Sequence, residues 1–181
     1  QTMIDIILSE NNNISAVNFA INEDDIERVM RHSLTMIGSD AVGSAPHGTM
    51  GKDRVHPRSY GTFPRVLGQY VRERGVITEA AAISKMTALP AKRLNIPLRG
   101  QIKVGNFADI VIYNPKTIGD NATFSDCHRF STGVEYTIVN GRIAWESQSP
   151  TQNLAGKVLR KNRYNSAITG LAFTSSLGWF K

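Results

Sequence analysis

The chain has 181 residues, 41% of them hydrophobic and 20% charged, with a single cysteine. These proportions suit one globular domain, or one and a fraction, and exclude a disordered polymer; no apolar run reaches the ~18 residues a membrane span needs. The net charge of +6 divides unevenly, with −5 over residues 1–50, +7 over 51–100, −1 over 101–150, and five bases without an acid in 151–181. The bases are dispersed, and no ribonucleoprotein motif, zinc finger or helix-turn-helix accompanies them, so a nucleic-acid partner is not expected. Cys127 has no partner for an internal disulfide, which fits a reducing cytoplasm. The start, Gln1-Thr-Met-Ile-Asp, lacks the basic segment of a signal peptide.

In chain order, Met3, Ile4, Ile6, Ile7 and Leu8 form an apolar stripe of helical spacing across Thr2–Leu8, read as core. Asn11-Asn12-Asn13 breaks it, and Ile14–Phe19 alternates as a strand does. Asn22 caps a helix whose first turn carries Glu23, Asp24 and Asp25, which turns Ile26, Val29 and Met30 to one face and ends near Arg31-His32. The short apolar run Leu34–Gly38 reads as a buried parallel strand, so residues 1–96 are expected to hold a βαβ unit.

Asp40 follows that run. It either opens a turn or caps a helix, or it stands at the carboxyl edge of a sheet, where α/β enzymes place their chemistry. The next twenty residues hold His47, Lys52, Asp53, Arg54, His56, Arg58 and Tyr60 without an apolar period. Beyond them a helix is expected from Pro64 to about Arg74, with Val66, Leu67, Tyr70 and Val71 inward and Gly75 closing it. Thr78 caps another helix with the stripe Ala82, Ile83 and Met86, and Pro90 opens a short one ending at Leu94. From Pro97 the period becomes two. Strands are expected at Gln101–Gly105, Ala108–Tyr113, Val134–Val139 and Arg142–Trp145, with a hairpin at Asn140-Gly141.

Gly38-Ser39-Asp40, His56-Pro57-Arg58 and Tyr60-Gly-Thr-Phe-Pro-Arg-Val-Leu-Gly68 resemble the N-acyl-D-amino-acid deacylases (D-aminoacylases) of the amidohydrolase superfamily. The likeness continues through Lys85-Met86-Thr87, Pro90–Leu94, Arg99-Gly100, Gly105, Ala108-Asp109 and Val139-Asn-Gly141, and covers roughly residues 1–160. It implies an α/β fold: residues 1–96 as the last strands and helices of a metal-dependent-hydrolase TIM-type barrel, and 97–160 as a small antiparallel β module, half of a composite β-sandwich. Residues 161–181, beyond the likeness, form a tail. The resemblance also implies a zinc-dependent hydrolase that cleaves a small-molecule N-acyl amino acid.

By the same resemblance Asp40 matches the family's invariant aspartate, a general base that also touches the metal. Asp109 falls at a structural position of that family. Ser39, His47, His56 and Arg58 are candidate substrate-binding groups, since bases beside a carboxylate suit an anionic substrate. His47 and His56 stand nine apart on a loop, and the chain has no His-X-His. The other zinc ligands are therefore expected from earlier strands, outside this chain. Cys127 and His128 are not read as a nucleophilic pair, because neighbours on an extended chain face opposite sides. The alternatives are a non-catalytic truncated paralogue or interaction module, or a dihydroorotase-like or hydantoinase-like amidohydrolase. Unpaired barrel strands leave open edges, so self-association or pairing with a missing N-terminal part is expected.

Overall fold

In a computed structural model of the chain, residues 2–11 and 19–159 are described. They fall into two compact units, Gln1–Thr35 and Met36–Lys181.

The first unit holds α1 (Thr2–Ser9) and α2 (Glu23–Arg31). The expected cap forms: the Asn22 side chain accepts from the Asp25 amide at 2.8 Å, so one of the four orphan donors of α2 is satisfied. Three acids in the first turn and Arg28 and Arg31 in the last complement the helix dipole. Of its apolar face Met30 is buried, whereas Val29 is exposed. No residue of α1 is buried, so its stripe does not serve as core among the described residues. The strand expected over Ile14–Phe19 lies outside them, except for Phe19.

Leu34–Gly38 does not form a strand. Strand structure is a property of the pair: Ile37 N–H donates to the Lys85 carbonyl at 3.1 Å, and the run joins no ladder among the described residues. All strand pairs among the described residues are antiparallel, so the expected parallel pair is not found there.

In the second unit a 3₁₀ turn (Thr49–Gly51) interrupts the loop after Asp40. The helix expected from Pro64 begins six residues earlier: α3 spans Arg58–Arg65 and continues as a wider π-helical segment, Val66–Glu73. Pro64 lies inside it. Having no N–H, it leaves the Tyr60 carbonyl without its helical partner, and Ser131 Oγ reaches that oxygen at 3.5 Å. Of the expected inward face, Val66, Leu67 and Tyr70 are buried and Val71 is half-buried. Gly75 ends the segment at φ +59°, the left-handed conformation glycine adopts without a Cβ penalty.

Thr78 caps α4 (Glu79–Met86) by accepting from the Ala81 amide at 3.2 Å. Helix α5 (Ala88–Arg93) starts two residues before Pro90, which sits in the first turn where its missing N–H costs nothing. Its end is a Schellman motif: Asn95 N–H donates to the Lys92 carbonyl and Ile96 N–H to that of Ala91, with Asn95 at φ +55°.

Gln101–Gly105 is also not a strand. Ile102 and Val104 are 88% and 101% exposed, and the chain turns through Gly105 at φ +89°. Its alternation is that of a surface loop. The sheet itself has four antiparallel strands in the order β1 (Ile110–Tyr113), β2 (Val134–Val139), β3 (Arg142–Glu146), β4 (Ser149–Pro150). The β2–β3 turn is the expected one, with Asn140 and Gly141 at φ +49° and +79°. Tyr113 joins the sheet to α4 by donating to Glu79 Oε1 at 2.6 Å; burial and then that carboxylate push its phenol up to about 12.

The connection from β1 to β2 packs on the helices through Ile118, which is 2% exposed. A Cβ at Gly68 would stand 2.7 Å from the Ile118 carbonyl oxygen. Replacing a helical glycine by alanine ordinarily stabilises; here Gly68→Ala is expected to destabilise by about 1–3 kcal/mol through overpacking. A rise in the urea midpoint would contradict this packing.

Candidate active site

Four of the five residues singled out in the sequence cluster at the start and end of one loop. Asp40 adopts φ +49°, a conformation asparagine and aspartate tolerate better than most residues, and its carboxylate is 87% exposed. Arg58, in the first turn of α3, reaches it with Nη2 at 3.0 Å from Oδ2. Ser39 turns its hydroxyl back to accept from the Ala41 amide at 3.3 Å. His56 is half-buried, edge-on to Phe124 at 4.9 Å between ring centroids, and its Nδ1 accepts from the Arg58 amide at 3.0 Å. The fifth residue, His47, is exposed and stands apart from the hydrogen bonds and ion pair made by the other four.

His56 is thereby held in one tautomer. An Nδ1 that accepts leaves the proton on Nε2, and protonation of Nδ1 would forfeit the Arg58 bond. Burial lowers the imidazole below its ordinary 6.5, the cationic Arg58 and Arg65 lower it further, and the negative Asp40 pulls the other way. The native state thus favours neutral His56. That contribution is complete above pH 6.5 and is lost as pH falls through the lowered value. A proton NMR titration is expected to give a His56 midpoint below 6.5; a midpoint above it would contradict the arrangement.

Two groups not singled out as site residues, Tyr60 and His128, bind the loop to the rest of the unit, and a third, Asp120, braces α3. Tyr60 Oη lies 2.9 Å from His128 Nδ1 and receives Ser44 Oγ at 3.1 Å, while His128 Nε2 is 2.9 Å from the Asp53 carbonyl. Asp120 accepts from the Ala122 amide at 2.9 Å and pairs with Arg65 at 3.4 Å. It lies against Gly61 so closely that a Cβ there would be 1.9 Å from its carboxylate oxygen. Tyr60 and His128 are 68 positions apart, so no local pattern marks the pair. Both ring nitrogens of His128 are engaged and Cys127 is buried, in keeping with the reading that the two do not form a nucleophilic pair.

Residues 19–144 match the profile of the amidohydrolase family, and the chain belongs to that family. It is 41% identical over 146 residues to a D-aminoacylase of Alcaligenes xylosoxydans xylosoxydans, and 38% identical over 147 residues to an N-acyl-D-glutamate deacylase of the same organism. Each match takes in 81% of this chain, but only 29% and 28% of the relative, so the chain spans less than a third of their length. Among solved structures it superposes on the N-acyl-D-glutamate deacylase of Bordetella bronchiseptica, complexed with zinc and a phosphonate mimic of the tetrahedral intermediate. That superposition has a TM-score of 0.69 at 38% identity and covers 78% of this chain and 28% of that one.

Proposed function

We propose that this chain is the C-terminal part of a zinc-dependent amidohydrolase that hydrolyses N-acyl-D-amino acids to a carboxylate and a D-amino acid. The observation that carries this reading is the 38–41% identity to two such deacylases along four-fifths of the chain. Asp40 is the general base: it takes a proton from the attacking water and returns it to the leaving amine. An N-acyl amino acid presents an α-carboxylate, and Arg58, with Ser39, His47 and His56 around the same loop, offers the cationic and hydrogen-bonding contacts such a group requires. Arg58 already holds a carboxylate, that of Asp40.

Zinc is the family's Lewis acid in this reading, and Asp40 would be one of its ligands. The described residues alone do not fit the ion: no three His, Cys, Asp or Glu side chains among them stand close enough to hold one. Its other ligands belong, in this reading, to the remainder of the enzyme. Residues 1–96 are then the end of a TIM-type barrel and 97–160 the β-sandwich module; the tail expected at 161–181 lies outside the described residues. No described helix is long and apolar enough to cross a membrane; a cytoplasmic protein with no membrane or nucleic-acid partner is part of the proposal. So is self-association, or pairing with the N-terminal part of the enzyme.

One other reading is a non-catalytic module. A graft separates the two. This chain is placed where the matching segment of the Alcaligenes D-aminoacylase stands, and zinc content and turnover are measured. Turnover supports the enzyme reading, whereas a graft that folds and holds zinc but cleaves nothing supports the module.

A further inference from the structure

We propose that Tyr60 and His128 are positioning residues that hold the Asp40 loop in its working conformation, through a hydrogen-bond chain whose direction is chemically determined. What the loop works at rests on the deacylase reading; the tie itself does not. The direction follows from one end. The Asp53 carbonyl can only accept, so His128 Nε2, 2.9 Å away, carries the proton. In the neutral ring Nδ1 is then bare and must accept, and Tyr60 Oη at 2.9 Å is its donor. With its own proton committed, the Tyr60 oxygen accepts from Ser44 Oγ at 3.1 Å.

The placement of the four groups gives the chain its purpose. Ser44 lies four residues beyond Asp40 on the outgoing limb of the loop, and Asp53 lies on the returning limb. Tyr60 stands on α3 and His128 on the connection between β1 and β2. Both limbs are therefore laced to supports outside the loop. They also touch each other: a Cβ at Gly51 would be 2.7 Å from the Pro46 carbonyl carbon. Behind the lacing, the Tyr60 ring meets His128 and Phe130 edge-on, each at 5.6 Å, and Phe130 meets Trp145 of β3 at 4.8 Å. The anchor thus runs from the loop to the sheet.

The loop's own bonds are few and local, namely the turn at Thr49–Gly51 and the Ser39–Ala41 contact. The Asp40–Arg58 ion pair is too exposed to fix a backbone. A general base misplaced by an ångström loses much of its effect, so a tie four residues away acts on rate more than on binding.

The test uses the full chain. Nitrogen-15 spectra are expected to show His128 as the Nε2–H tautomer. Amide exchange across residues 41–55 is expected to quicken about tenfold in Tyr60→Phe and His128→Phe while α4 is unchanged. His128→Gln, which keeps one acceptor and one donor, is expected to stay within about twofold of wild type. Ser44→Ala removes only the outer bond and is expected to quicken residues 41–47 alone, and it serves if the aromatic variants fail to fold. Unchanged exchange in the folded variants, or an Nδ1–H tautomer, would overturn the proposal. In the graft, Tyr60→Phe is expected to lower kcat about tenfold, with a smaller rise in KM because His47 lies on the same loop. Full kcat beside a loosened loop would overturn the positioning role. An inert graft with native residues would instead count against the deacylase reading, and the exchange data would still decide the tie.

Discussion

In the grafted enzyme, Asp40→Asn is expected to lose at least about a hundredfold in kcat, the scale of a lost general base. Folding should hardly change, for three reasons visible at the residue. Asparagine tolerates the left-handed backbone of position 40 as aspartate does. The side chain is almost wholly exposed, so no buried contact is lost. The ion pair removed, with Arg58, is a surface pair worth about 0–1 kcal/mol. The discriminating measurement is kcat beside the urea midpoint: retained kcat would remove Asp40 from the mechanism, and a large drop in midpoint would make the loss one of folding.

The largest effect on stability is expected at Asp109, which the family resemblance implies to be a structural position. Its carboxylate accepts from Arg99 Nη1 and from the Asn140 amide at 2.8 Å, while Arg99 Nη2 donates to Asn140 Oδ1 at 2.6 Å. Asn140 in turn donates to the Ala155 carbonyl at 2.6 Å, and the guanidinium lies 4.2 Å over the Phe107 ring. This knot ties the β2–β3 turn to the segment leading into β1. The Arg99 side chain is 10% exposed, so Asp109→Ala removes the ion-pair partner of a nearly buried cation, which keeps only Asn140 Oδ1 and the Phe107 face, and leaves the Asn140 amide without its acceptor, at a cost of about 3 kcal/mol.

The pH dependence has a definite sign. Burial raises the Asp109 carboxyl, but the Asn140 amide and Arg99 outweigh it and hold the group below its ordinary 3.8. Its contribution is therefore complete above pH 3.8 and is lost as pH falls through the lowered value. The stability gap between native chain and Asp109→Ala should be constant near neutrality and close in stronger acid. A gap that widened in acid would contradict the knot.

What the sequence revealed and what it concealed divide by the range of the interactions. The Asn22 and Thr78 caps, the Gly75 stop and the Asn140-Gly141 turn were all legible, because each depends on side chains within a few residues. The strands at Leu34–Gly38 and Gln101–Gly105 were misread. Their apolar patterns are genuine, but a strand requires a partner at ~5 Å, and neither segment has a ladder among the described residues. Pro64 misled in another way: it is tolerated inside the helix, with the Ser131 hydroxyl at the freed carbonyl. Within the site, Asp40, Arg58 and His56 were marked by a local motif, and the structure gathers them. Tyr60 and His128 meet only in the fold, and nothing local to either announces the other.

The measurement that bears most directly on the central claim is product release by the zinc-loaded graft from N-acetylated D- and L-amino acids. The account predicts equimolar acetate and D-amino acid from the D substrates, little from the L substrates, and loss of both products in Asp40→Asn. A folded, zinc-bearing graft that releases nothing from any N-acyl-D-amino acid would contradict it.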